Sequence, residues 1–195
     1  MRIRRLKSKG LVLSRLPAAQ LRLLQQIPAH ADPAGSPSAE ERLYQSPVRT
    51  PLDDTEDELI NDWNDHILPD LRSDFARQLD CVTNDLRNVR RESPSSTPST
   101  VREDGPADDS EDEEMELPAA GETYQLVIPI DHVESWYGAL NQARLVMQSR
   151  YNFPEIESLA SIVALLASEN LKPYLTSRFY TEIQAALLEL GMGSE

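Results

Sequence analysis

Few side chains here can hold a metal, move a proton or attack a carbon, so their spacing decides which chemistry is open. Asp62, His66 and Asp70 recur at i, i+4 and i+8, a row that on a helix would align oxygen and nitrogen ligands. At about 100° per residue the row falls opposite the Ile60–Leu71 apolar stripe, which makes it a solvated polar face. Cys81 is the single cysteine, so an internal disulfide is excluded and a reducing compartment is implied. At the margin of an apolar stripe it reads as a small hydrophobe unless it is exposed and acidified. His30 lies in a linker, and His132 fills the first turn of a helix. Asn141 and Arg144, three apart, are neighbours on one helix surface. They form either a ligand or partner clamp or a buried polar latch. Trp63 and Trp136 read as core anchors or, if exposed, as contact hot spots. No Ser/His/Asp set, paired catalytic carboxylates or Gly-rich phosphate loop assembles, so no catalytic, cofactor or metal site is expected.

The elements that must position these residues follow from periodicity and breakers. Arg2–Lys7 and Leu11–Leu16 flank Ser8-Lys9-Gly10 and read as a hairpin. Pro17 opens a short helix to about Ile27, which Pro28 should stop, and a brief helical turn fits Ser38–Tyr44. A long helix starts at Thr55, with Ile60, Trp63, Ile67, Leu71, Phe75, Leu79, Val82, Leu86 and Val89 in one stripe of period near 3.6. Pro69 must kink or split it. Tyr124, Leu126, Ile128 and Ile130 alternate as a strand, and Pro129 keeps that end of it at an edge. Asp131 and Glu134 then suggest an Asx form of capping box, opening a helix that carries Trp136, Leu140, Ala143, Met147 and Tyr151. Further apolar helices follow Pro154 and Pro173.

Charge is segregated. The 195 residues carry a net charge of −14, yet residues 1–31 hold seven bases and no acid, whereas residues 92–122 hold eleven acids and one base. Nucleic acid and anionic membrane should be repelled, and no apolar stretch approaches the roughly 20 residues a membrane helix needs. The basic start has no secretory h-region; its Arg richness fits a transit peptide, but the hairpin uses these residues better. Residues 92–122 combine dense like charge with few apolar groups and read as a disordered acidic linker.

The run Trp136-Tyr137-Gly138-Ala139-Leu140-Asn141-Gln142-Ala143-Arg144-Leu145, followed by Arg150, has the pattern W-x-x-A-x-N-x-x-R-L with a second Arg near the helix end. It resembles a bacterial family catalogued as domain of unknown function twenty-seventeen. The N-terminal hairpin, Arg42-Leu43-Tyr44…Pro47 and the Phe179–Leu190 helix stand in the expected order. The resemblance implies a cytosolic protein without catalytic signatures, encoded in many members beside the adaptor of the Clp protease. Some members are described as redox-responsive partners of transcription factors through paired cysteines. Cys81 has no second cysteine, so an intramolecular thiol switch does not carry over.

The expected fold is α+β: a small three-stranded antiparallel sheet (2–7, 11–16, 123–130) packed on helices 55–91, 131–151 and 155–190. Residues 1–91, with a Pro-rich connection at 28–52, and residues 123–195 would complete one domain around the linker. The expected function is that of a cytoplasmic bacterial regulatory or adaptor protein acting by protein–protein interaction. Links to transcription-factor regulation or the Clp-protease pathway follow from the resemblance. Trp136, Asn141, Arg144 and Arg150 are its candidate interaction or latch residues. The alternative is an enzyme or small-ligand domain with its site around Asn141, Arg144 and Arg150. A protein partner is expected, the long apolar stripe allows a homodimer, and neither membrane nor nucleic acid is expected.

Overall fold

The computed structural model describes residues 1–6, 10–46, 54–92, 122–154, 163 and 165–192. Most of the acidic linker, the centre of the hairpin turn and the start of the expected 155–190 helix lie outside these residues. An antiparallel sheet of four strands is ordered β1-β2-β4-β3, with β1 at Arg2–Leu6, β2 at Gly10–Pro17, β3 at Arg90–Glu92 and β4 at Thr123–Ile128. The hairpin register runs from Arg2 opposite Ser14 to Leu6 opposite Gly10. β2 and β4, whose inward residues alternate, place Leu11 beside Ile128 and Leu13 beside Leu126. Both edge strands present arginines, which blunt an open edge against further pairing.

The expectation of three strands is corrected by β3. The long helix ends at Arg87 rather than Arg91, and Arg90–Glu92 pairs with β4 from Gln125 to Thr123. Arg-Arg-Glu has no strand periodicity of its own; pairing to a partner makes it a strand. Pro129 ends β4, and Ile130–His132 is already a 3₁₀ turn, so the strand stops short of residue 130. A bulge between Leu13 and Leu16 leaves Arg15 at φ 52°. Its N–H donates to Glu92 Oε2 at 2.9 Å, and the same oxygen accepts the Thr123 hydroxyl at 3.1 Å. One carboxylate thus ties β3 and β4 to the bulge of β2.

Helices α1 (Ala18–Gln25), α2 (Ile27–Ala31) and α3 (Pro37–Leu43) follow β2. Pro28 does not stop a helix as expected: it sits in the first turn of α2, where no N–H is needed. The long stripe becomes α4 (Asp54–Asp62), a π-helical turn at Trp63–Ile67 and α5 (Leu68–Arg87). Pro69 occupies the first turn of α5, and Leu68 N–H donates back to Trp63 C=O, so the π turn absorbs the proline without breaking the rod. α6 (Val133–Tyr151) is capped by no side chain, and Asp131 lies in the preceding 3₁₀ turn instead of forming a capping box. α7 (Leu171–Leu187) runs into a second π turn at Leu188–Met192.

α6 is the hub, packing against α2, α3, α5 and α7. Its buried residues, from Trp136 and Leu140 to Gln142, Val146 and Met147, cover about half the cylinder, a stripe wide enough to face several neighbours at once. Trp136, Leu140 and Met147 join Leu11, Leu13, Leu16, Leu24, Ile27, Val82, Leu126, Ile128, Tyr180 and Ile183 in the main core, while Val146 packs with Ala39 and Leu43 of α3 in a smaller one. Each fully buried aliphatic there contributes about 1.5–3 kcal/mol. Residues from before and after the acidic linker share that core. No helix is long and apolar enough to cross a membrane among the described residues.

Candidate functional site

Cys81 and Asp85 lie one turn apart on α5, and His132 and Trp136 are likewise four apart where the 3₁₀ turn enters α6. The α5–α6 packing brings the two pairs face to face. Asp85 is buried, and both its oxygens stand 3.0 Å from His132 Nδ1. Trp136 Nε1 donates to Asp85 Oδ2 at 2.8 Å. His132 keeps 35% of its side chain exposed, with Nε2 3.9 Å from Asp131 Oδ2. Burial pushes the Cys81 thiol up; a hydrogen bond with Ser135 opposes this, while the charges of Asp85 and Asp131 add to it. Cys81 is therefore a thiol at neutral pH and a poor nucleophile, although a Cys, His and Asp stand together. Their donor atoms all lie within 4.8 Å of one another, close enough to share one cation. Sequence reasoning named Cys81 and His132 separately and passed over Asp85. The available signal was two i, i+4 pairs, but no periodicity tells which helices face each other.

The four expected site residues are spread along α6, and roughly 21 Å of helix separates Trp136 from Arg150. Trp136 belongs to the Asp85 cluster. Arg144 donates through Nη1 to Gln184 Oε1 on α7, and Gln184 Nε2 donates in turn to Tyr137 C=O at 3.1 Å. Arg144 Nε is buried without a partner among the described residues. Arg150 donates to Asp32 C=O at 3.0 Å and Ala34 C=O at 3.4 Å, fastening the end of α6 to the loop after α2. Asn141 is half-buried and joins neither arrangement. Clefts of about 380 and 410 Å³ lie elsewhere, the first against Leu23, Lys172 and Leu175, the second against Gln25, Thr83 and Arg87. Asp62, Asp65, His66 and Asp70 are exposed, as a solvated face requires.

A second buried polar chain joins α2 to α7. The Tyr180 hydroxyl donates to Leu23 C=O at 2.6 Å, so His30 Nδ1, 2.9 Å away, must be the donor to its oxygen. Burial, and then the Arg150 charge, lower the His30 pKa from its ordinary value. The unfolded chain therefore binds a proton that the folded chain refuses. Stability is full above about pH 6.5 and falls as pH drops from there through the folded pKa. Urea unfolding of the parent against His30→Gln should show stability falling more steeply with pH over that window in the parent. Equal slopes would refute it.

No curated protein and no solved structure matches the chain. A family model, Domain of unknown function (DUF2017), matches residues 9–190, a span that includes β2, the Asp85 cluster and the α6–α7 tie. The chain belongs to that family.

Proposed function

We propose that the protein is a cytoplasmic bacterial regulatory or adaptor protein that works by binding another protein, not by catalysing a reaction. The observation that carries this reading is the exposed apolar edge of the α4–π arm. α4 packs chiefly on the π turn that continues it. Leu59 and Ile67 are each 50% exposed, and Trp63 stands between them at four-residue spacing on the same face. Asp57, Glu58, Asp62 and Asp65 surround that face. An amphipathic acidic helix of this kind suits an apolar groove with a basic rim on a partner. A small-ligand site around Asn141, Arg144 and Arg150 finds less support, because Arg144 and Arg150 are drawn to separate protein acceptors. Transcription-factor control and the Clp-protease pathway are the settings that the family likeness suggests for the partner.

The experiment compares the immobilised full chain with a Leu59→Glu/Ile67→Glu double variant in native lysate. Both residues are half exposed, so the variant's melting temperature should stay within a few degrees of the parent's. A stoichiometric partner held by the parent should be lost at least tenfold in the variant. Undiminished capture by the variant, or turnover of a small molecule by the purified parent, would overturn the reading.

A further inference from the structure

We propose that Cys81, Asp85 and His132 bind one zinc ion, through the cysteine sulfur, a carboxylate oxygen and an imidazole nitrogen. The three come from two elements packed against each other: adjacent turns of α5 and the 3₁₀ turn before α6. Their donor atoms lie within 4.8 Å of one another. Bonds of about 2.0–2.3 Å in a tetrahedral site put ligand atoms roughly 3.3–3.8 Å apart, so about 1 Å of closure is needed. Side-chain rotation supplies it, since His132 is 35% exposed and Cys81 only half-buried.

The surroundings are those of ligands that are themselves held. Trp136 Nε1 fixes Asp85 Oδ2, which leaves Oδ1 to face the ion. Ser135 stands at the Cys81 sulfur. With Nδ1 on the metal, the imidazole proton moves to Nε2, where the Asp131 carboxylate lies 3.9 Å away. The Cys81 proton leaves to solvent, and the new thiolate and the buried Asp85 carboxylate balance the dication. A sulfur and an imidazole among three ligands favour zinc over magnesium or calcium, which prefer oxygen. The exposed side of His132 leaves the fourth position to water or to a side chain from a partner.

The test uses the full chain stripped with EDTA and titrated with Zn²⁺ by calorimetry and with Co²⁺ by absorbance. One equivalent of each should bind, and Co²⁺ should give a thiolate charge-transfer band with tetrahedral d–d intensity. Cys81→Ser should abolish that band, and Cys81→Ser and His132→Gln should each weaken Zn²⁺ binding tenfold or more. Zn²⁺ should also protect Cys81 of the parent from iodoacetamide, a measurement that needs no variant to fold. The proposal is overturned if binding is unsaturable, if Co²⁺ shows no thiolate band, or if Zn²⁺ leaves alkylation unchanged. Binding undiminished in a folded Cys81→Ser variant would place any metal elsewhere and overturn it equally.

Discussion

Trp136→Ala should lower unfolding free energy by about 4 kcal/mol or more, and Trp136→Phe by about 2 kcal/mol. The two numbers separate two roles of one side chain. Trp136 is fully buried at the centre of the core, so truncation to Ala opens a cavity that α5, α6 and β4 cannot all close. Phe keeps most of that volume but removes the N–H that donates to Asp85 Oδ2. Asp85 is only 6% exposed, and a buried carboxylate that loses a donor recovers little from water. Against a total of about 5–15 kcal/mol for a native domain, the Ala variant would stand close to unfolding. Urea titration followed by circular dichroism is the suitable readout, because Trp136 is one of only two tryptophans available for fluorescence. A Phe variant as stable as the parent would mean that His132 alone satisfies Asp85, and the polar role assigned to Trp136 would fall.

What could be read in the chain, and what could not, divides along one physical line. Features that repeat within a helix or strand were legible: the hairpin, the alternation of Tyr124–Ile128, and the stripes of α5 and α6. Features created by one element meeting another were not. Arg90–Glu92 carries no strand signal and becomes β3 only because β4 has an open edge beside it. Pro69 marked a discontinuity, yet its form, a π turn and not a kinked gap, depends on how the preceding turn rearranges its hydrogen bonds. The same line runs through the candidate site. Arg144 stood out within its motif, while its acceptor Gln184 lies forty residues downstream with nothing local to mark it. Asp85 drew no notice as one of many acids on a long helix. Its burial beneath His132 and Trp136 sets it apart, and that is a property of the α5–α6 interface.

The tightest interface of this kind lies at Gly10, and its replacement by Ala should cost about 4 kcal/mol, against about 1 kcal/mol for Gly35→Ala. Both glycines have positive φ, +111° and +77°, so each substitution strains its own backbone. Only Gly10 adds a clash. A Cβ there would run into the Ile128 carbonyl oxygen and stand 2.8 Å from the Ile130 nitrogen, whereas nothing lies within 4 Å of one at Gly35. The obstructing atoms are backbone, so no rotamer change relieves them. They belong to the exit of β4, four and two residues before His132, and they are held by the pairing of Leu11 with Ile128. Making room would shift the strand register or the 3₁₀ turn, and with that turn the imidazole that faces Asp85. Denaturation midpoints of the two variants, measured with the parent's m-value as a check, decide the matter. Equal losses at the two glycines would mean that the β2–β4 seam yields easily and that the position of His132 does not depend on it.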